Sequence, residues 1–549
     1  MSSPSGVAAP SRIYLGTFGV FLGVGIVSLG QRLLSAGLPD LRGALGLGVD
    51  DAAWIPTVYD MALMFMGPIS VYLGGLLGRR EVLLWAGGVF TVASIALPLA
   101  PAPGGVLALQ LVAGLASGTF YPLALSFALT NLPPRHAIYA IGAYSMDLLA
   151  TLSIGTPLMG WFAEHASWRW IFWTSAVLTP VMMLCVFFSV PPRPRRDRAM
   201  PPVSWHGFLF FSVAFSLVEG ALEQGERLDW LGSGTIRGML IAGAVLFLAG
   251  AVQRWRSPNP LINLSFLATR NLLIVGAGAF TLRFVLLAIL VLIPGYLGAV
   301  HAFRPEETGR VLLWLAVPAV VLGLLAAQLM KSIDGRLIAA IGLVGVATAC
   351  LMDARLTPSW ESDQFWWPQL VVAGGFAFYT VGQIGLQVQQ SIVSGITGNP
   401  INAMTFSAYS QTMRLFGGQV GGTLMGRLLF VRTVFHSDAL GRSIEAGGFL
   451  TEERLQSIAT SLLPGSSGPE EAHGRAAMVL MRDLARQAYT LAYMDGFILI
   501  AWVCVGMMVL LACMKATRNV YSGREVSGRS PSPVPAPQPA AARPDRSAA

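Results

Sequence analysis

Long apolar runs separated by short polar breaks recur along almost the whole chain. They begin near Ile13, Ala52, Val82, Gly105, Ile138, Arg169, His206, Thr235, Leu272, Arg310, Leu337, Trp367, Ala403 and Tyr489. An apolar run of about 20 residues spans a bilayer as a helix, whereas a barrel strand needs only about 9–11. Only helices and closed barrels satisfy the backbone in lipid. The pattern therefore predicts an all-α membrane protein of fourteen transmembrane helices. The first run ends in Gly37-Leu38-Pro39-Asp40 with no small-residue cleavage site, so it reads as a span and not as a leader.

One stretch, 138–173, concentrates the pattern. Small residues recur on it (Gly142, Ala143, Ser145, Ala150, Ser153, Gly155, Gly160), which predicts close helix packing. Asp147 lies inside it, and Glu164-His165-Ala166-Ser167 forms a polar hinge before the next span. The rhythm breaks between 431 and 487, where the chain turns polar. Thr451-Glu452-Glu453 carries the acids expected in a helix's first turn, Pro464 to Pro469 interrupts, and Glu470 to Ala488 resumes helical character into the last span. Residues 516–549 are rich in Pro, Ser, Ala and Arg and read as a disordered tail.

Composition agrees. The chain has 549 residues, 54% hydrophobic and 12% charged, against about 25% charged in soluble domains. The net charge of +8 does not point to nucleic acid, because the arginines collect in alternate short loops: Arg79-Arg80, Arg135, Arg193 to Arg198, Arg254 to Arg270, Lys331 and Arg336, then Lys515, Arg518 and Arg524. The intervening loops hold Glu164, Glu226, Asp229, Glu306, Glu307, Glu361 and Asp363. By the positive-inside rule both termini of this multi-pass chain are cytoplasmic. The four cysteines lie in apolar runs without ligand spacing. Lys331 and Lys515 are the only lysines and neither follows a glycine, so no phosphate-binding loop of the G-x-x-x-x-G-K type exists. No paired histidines or G-x-S-x-G appear. No enzyme, cofactor or metal is implied; the class left is a gradient-driven transporter or a channel.

Ionisable groups at membrane depth cost roughly 2.5–3.5 kcal/mol each and mark function. Arg32 and Asp60 lie at similar depth in spans 1 and 2 and are expected to pair. Glu219 and Glu223, four apart, share a face of span 7. Asp147 has no evident partner in its own span, which makes it the leading candidate for a proton-coupling group, with Asp60, Glu219 and Glu223 behind it. Arg283 and Arg414 lie within spans 9 and 13, and Gln383, Gln387 and Gln390 form a stripe on span 12 expected to line a cavity. With Gln31, Arg32 and Tyr409, these are the candidate substrate contacts.

Several segments together resemble the major facilitator superfamily, specifically its fourteen-span drug:proton antiporters of EmrB/QacA type. They are Leu109-Gln-Leu-Val-Ala-Gly-Leu-Ala-Ser-Gly, Tyr121-Pro-Leu, Asn131-Leu-Pro-Pro, Gly155-Thr-Pro-Leu-Met-Gly, Trp168-Arg-Trp-Ile-Phe, Gly225-Glu-Arg-Leu-Asp-Trp, Arg414-Leu-Phe-Gly-Gly-Gln-Val-Gly-Gly and Tyr493-Met-Asp-Gly-Phe. The resemblance spans about residues 12–515. It implies two six-helix bundles (12–192 and 257–515) joined through a linker with two extra helices (193–256), after a short tail (1–11), with a periplasmic helical insertion at 431–487. It also implies motif positions that govern conformation: Gly74, Arg79, Gln110, Gly114, Gly155, Pro157 and Gly160.

This chain departs from the family at telling places. Gly30, Gln31 and Arg32 stand where span 1 usually has an acid and two threonines. Gln110 stands where an arginine is associated with proton coupling, and the span-5 antiporter motif is loosened to Gly155-Thr156-Pro157-Leu158-Met159-Gly160. The resemblance implies proton-coupled efflux of a small amphipathic compound, a drug or an aromatic or anionic toxin. It further implies a periplasmic adaptor and an outer-membrane channel as partners. Arg32 and Arg283 favour an anionic substrate. A facilitator or importer with weakened coupling, and a non-transporting scaffold or sensor, are the alternatives.

Overall fold

The computed structural model describes residues 10–100, 102–131, 134–190, 206–256, 267–394, 400–444, 448–466 and 468–516. The arginines at 193–198, Arg518, Arg524 and the tail from 517 lie outside the described residues. The described chain is all-helical. Its α-helices are α1 (Pro10–Leu45), α2 (Val49–Leu76), α3 (Arg79–Ala96), α4 (Pro103–Ser117), α5 (Phe120–Asn131), α6 (Pro134–His165), α7 (Trp170–Ser189) and α8 (His206–Gly225). There follow α9 (Gly234–Arg256), α10 (Arg270–His301), α11 (Pro305–Leu329), α12 (Gly335–Asp353), α13 (Trp366–Val393), α14 (Pro400–Gly441), α15 (Phe449–Leu462) and α16 (Pro469–Ala512). Proline opens α4, α6, α11, α14 and α16, where its missing N–H costs nothing and its fixed φ suits a first turn.

Among the described residues, nine helical stretches are long and apolar enough to cross a membrane. Their outer surfaces are apolar as well: Trp85, Val92, Ile241, Leu248 and Trp502 are all more than 60% exposed. Apolar exposure around a whole bundle needs lipid as its solvent. The chain is a multi-pass membrane protein.

Two differences from the expected spans have local causes. The run from Gly105 is interrupted between α4 and α5, at Gly118 and Thr119. There the backbone of α2 passes so close that a Cβ on Gly118 would lie 2.8 Å from the Leu63 carbonyl oxygen. Gly114, one turn earlier, abuts Tyr59 and Ala62 of α2 in the same way, so the pair forms a small-xxx-small contact. The second difference lies in 431–487. Helix α14 continues without a break to Gly441 and α16 starts at Pro469, so the separate cap is reduced to α15 and its flanking turns.

The helices alternate between two ends of the bundle, and each end is tied across sequence. Face A holds the start of α1; there Arg79 Nη1 donates to the Ser126 carbonyl (3.0 Å), Arg80 Nη2 to the Phe187 carbonyl (2.9 Å) and Arg336 Nη1 to the Met514 carbonyl (2.9 Å). Gly78 precedes Arg79 with φ of 107°, a left-handed turn that glycine alone adopts without strain. On the opposite face, B, Arg227 pairs with Asp50, Arg427 with Glu226 (3.0 Å), and Tyr296 Oη donates to the Thr357 carbonyl (2.7 Å).

Helices α1–α7 and helices α10–α14 with α16 correspond to the two bundles expected from sequence and are called the two halves below. They meet along α6 against α11 and α2 against α14. A Cβ on Gly309 of α11 would stand 2.6 Å from Pro157 of α6, and one on Gly67 of α2 would stand 3.0 Å from Gln411 of α14. One hydrophobic cluster crosses this boundary, joining Val24, Phe120 and Leu123 to Ala326, Met330, Val388 and Leu415. Helix α8 packs on both α2 and α14 and thus sits in the second seam.

Candidate functional site

Between the halves lies a cavity of about 260 Å³. Gln31, Arg32 and Ser35 of α1, Tyr59 and Asp60 of α2, Glu219 and Glu223 of α8, Arg283 of α10, and Gly418 and Gln419 of α14 line it, together with leucines from α1, α2, α10 and α14. The position of each charge follows from its helix. Asp60 is 11 residues into α2 from Val49, and Glu219 and Glu223 are one turn apart on the face of α8 that meets α2. Arg283 is near the middle of α10. Three of the four expected coupling acids thus converge on one cavity with two of the expected substrate-contacting arginines.

The expected ion pair between Arg32 and Asp60 does not form. Its neighbour Gln31 takes that place, with Nε2 donating to Asp60 Oδ1 at 2.6 Å. Arg32 Nε donates instead to Thr156 Oγ1 of α6 at 2.8 Å. The reason is geometric: the flank of Arg32 lies on Gly155, where a Cβ would meet Arg32 Cγ at 2.6 Å, and this turns the guanidinium toward α6. Asp60 lies within electrostatic reach of Arg283 and of Glu219 and Glu223. Glu223 has a side-chain hydrogen bond with Thr57. One oxygen each of Glu219 and Glu223 is buried with no hydrogen-bond partner. Helix α8 is held to α2 by Gln224, which donates to the Ala53 carbonyl (2.9 Å) and to Thr57 Oγ1 (2.6 Å), and by Ser216, which donates to the Met61 carbonyl (2.8 Å).

Asp147, the leading candidate from sequence, is elsewhere. It packs against Gly25 at the contact of α6 with α1, and its Oδ2 is buried without a hydrogen-bond partner. It is not among the residues lining the cavity. The α13 glutamines do not line this cavity either. Gln383 is fully buried and donates to the Val275 carbonyl of α10 at 2.6 Å, while Gln387 and Gln390 are buried too. Tyr409 packs on Gly276 of α10. Arg414 donates to Gln411 (3.2 Å), and its guanidinium stands 4.0 Å over the Tyr121 ring of α5. It therefore bridges the two halves on the face-A side.

Among the motif positions, Gly74 packs on Leu123 and Gly155 on Arg32, and Gly160 is buried. Gln110 is buried in a smaller cleft of about 30 Å³ that shares Gln31, Leu34 and Tyr59 with the main cavity. The residues not singled out from sequence are Tyr59, Gln224 and Gln419. All three were visible as polar side chains in otherwise apolar windows next to named positions.

Matched against protein families, residues 20–422 fit the model of the Major Facilitator Superfamily. The chain belongs to that superfamily. Among its curated relatives are the colistin resistance protein EmrB of Acinetobacter baumannii, 22% identical over 87% of this chain and 91% of the relative, and the multidrug export protein EmrB of Escherichia coli K12, 21% identical over 79% and 83%. The fatty acid resistance protein FarB of Neisseria gonorrhoeae is 24% identical over 76% of this chain and 81% of its own. Among solved structures, a bacterial homolog of the human lysosomal transporter Spinster, inward-facing and unoccupied, matches with a TM-score of 0.50 at 16% identity, covering 92% of this chain and 97% of that one. The shared fold is that of a superfamily transporter, in which substrate sites lie near the midplane between halves. The cavity of this superfamily member likewise lies between the halves, on the side toward face B. The family points to transport and not to catalysis.

Proposed function

We propose that the chain is a fourteen-span, proton-coupled exporter of small amphipathic compounds, working by alternating access in a bacterial inner membrane with both termini cytoplasmic. The observation that carries this reading is the convergence of Asp60, Glu219, Glu223 and Arg283 on one buried cavity between the two halves. A transporter needs a site that both sides reach in turn, and coupling needs a group whose charge changes there. The resemblance to multidrug export relatives supports the direction of transport.

Asp60 is the coupling group in this reading. Its carboxylate is held by Gln31 and faced by Arg283. Protonation removes the attraction to Arg283 and weakens the hydrogen bond from Gln31, so the loaded and unloaded forms favour different packings of the halves. The polar groups on the cavity wall that are already satisfied within the protein, such as Arg32, hold the site's shape. Asp147, away from the cavity, acts on the α1–α6 contact.

The test is flux in proteoliposomes. An imposed pH gradient should drive accumulation of a fluorescent amphiphile, and Asp60→Asn should lose at least 90% of it while Asp147→Asn keeps most. Equal flux with and without the gradient would favour the facilitator reading that Gln110 suggests. No flux of any compound would favour a scaffold.

The exposed Phe449, Leu450 and Met478 on α15 and α16 support face B as the docking side of a periplasmic adaptor serving an outer-membrane channel. Deleting 445–466 should abolish adaptor co-purification and leave reconstituted flux intact. Undiminished co-purification would remove that part of the reading.

A further inference from the structure

Helix α8 is one of the two helices placed between the halves, yet it is built into the cavity wall. Glu219 is 4% exposed, and it and Glu223 both line the cavity, one turn apart on the same helical face. Each has a buried carboxyl oxygen with no hydrogen-bond partner. The cavity's other charges are already engaged. Asp60 accepts from Gln31 and faces Arg283, and Arg32 donates to Thr156.

Buried acceptor oxygens without a donor therefore remain on the α8 wall, where the charges acting on Glu219 and Glu223 are other carboxyls, and the opening has a specific character. Three carboxyls face two guanidiniums across the cavity, so once a bound cation favours their ionised form the uncompensated charge is negative. A buried carboxylate oxygen without a donor costs about 1–3 kcal/mol or more, and a charged donor recovers this best. A ligand that only carries positive charge balances the Coulomb term and leaves the oxygens bare. A ligand with N–H groups on its cation does both.

We propose that Glu219 and Glu223 form the substrate's head-group subsite, and that its preferred ligand is an amphiphilic protonated amine with N–H donors. The ammonium sits between the two carboxyls of α8. The apolar body lies along Leu34, Leu287 and Leu290, which line the same cavity. This reverses the expectation of an anionic substrate drawn from Arg32 and Arg283, because both arginines face partners within the protein. It rests on the reading of the cavity as a transport site, but binding does not require that transport occur.

The experiment is equilibrium binding to the full-length protein in lipid nanodiscs at pH 7, using three probes with one aromatic body: a primary ammonium, its N-trimethylated form and the matching carboxylate. The ammonium should bind saturably and at least about tenfold more tightly than either analogue, the difference expected for one charge-assisted hydrogen bond. Glu219→Gln with Glu223→Gln should erase that preference. The comparison of probes on the unmodified protein stands even where the variant unfolds. Equal binding of the trimethyl form, tighter binding of the carboxylate, no binding of any probe, or an unchanged preference in a folded double variant each overturns the proposal. Selective binding without flux in proteoliposomes would instead leave the subsite standing and remove the transport reading.

Discussion

At the scale of single residues, the site depends on which atoms have no room to move. Gly155 is the clearest case, since Arg32 lies against it and is turned by it toward Thr156. Gly155→Val should push Arg32 off that hydrogen bond and cost about 1–3 kcal/mol, the usual penalty of overpacking. Gly422→Ala is the control: a Cβ there meets nothing within 4 Å, and alanine is the better helix former by roughly 0.5–1 kcal/mol. Thermal unfolding in detergent should fall for the first and hold or rise for the second. A Gly155→Val protein as stable as wild type would show that Arg32 is free to relax. The types of these residues were legible in the sequence, because a charge in an apolar run stands out at membrane depth. Their partners were not. Arg32 and Gln31 are adjacent, and the choice of which one meets Asp60 depends on the packing of α1 on α6, which no local pattern carries.

At the scale of elements, α8 is the unexpected member. It is tied to α2 through Ser216, Gln224 and the Arg227–Asp50 pair, and to α14 through Thr423, which donates to the Leu222 carbonyl at 3.1 Å, and the Arg427–Glu226 pair. Phe215 stacks edge-on to Phe416 at 5.4 Å. One helix therefore bridges both halves. Glu226 closes the face-B end of this strap. Partial burial raises its pKa, but the hydrogen bonds from Trp230 and Arg427 outweigh that and hold it below the ordinary carboxylate value. A folded-state pKa below the unfolded one stabilises above the unfolded value of about 4.3, and the contribution is lost as pH falls through the folded value. The difference in unfolding temperature between wild type and Glu226→Gln should thus be present at neutral pH and vanish well below pH 4. A difference that persists in acid would mean that the contact does not depend on charge. Apolar runs of span length made the helices legible, and prolines and glycines marked many ends. The break between α4 and α5 was hidden, because Gly118 yields to the backbone of α2, a long-range neighbour. The length of α14 was hidden as well, since its polar end beyond the apolar run keeps its helix by packing on α16.

At the scale of the molecule, the two seams between the halves are unlike. The α6–α11 seam is close-packed, with Pro157 on Gly309, while the α2–α14 seam closes toward face A and is filled toward face B by α8. The cavity lies on the side that α8 lines, with Arg414 over Tyr121 and Gly67 against Gln411 sealing the other. If transport proceeds by rocking of the halves, the contacts near face A must part once per cycle. A covalent bond across them should therefore stop the cycle. Gly67 and Gln411 suit the purpose, because the Cβ built on Gly67 is 3.0 Å from Gln411 Cγ, near the separation a disulfide bridges. With Cys185 and Cys513 replaced by alanine, Gly67→Cys with Gln411→Cys should cross-link on oxidation and lose proton-driven flux, and a reductant should restore it. Each single cysteine should transport as the parent does. A cross-linked protein that still transports would mean that α2 and α14 stay together through the cycle. The moving seam would then be the one between α6 and α11, and α8 would be a fixed wall of the path.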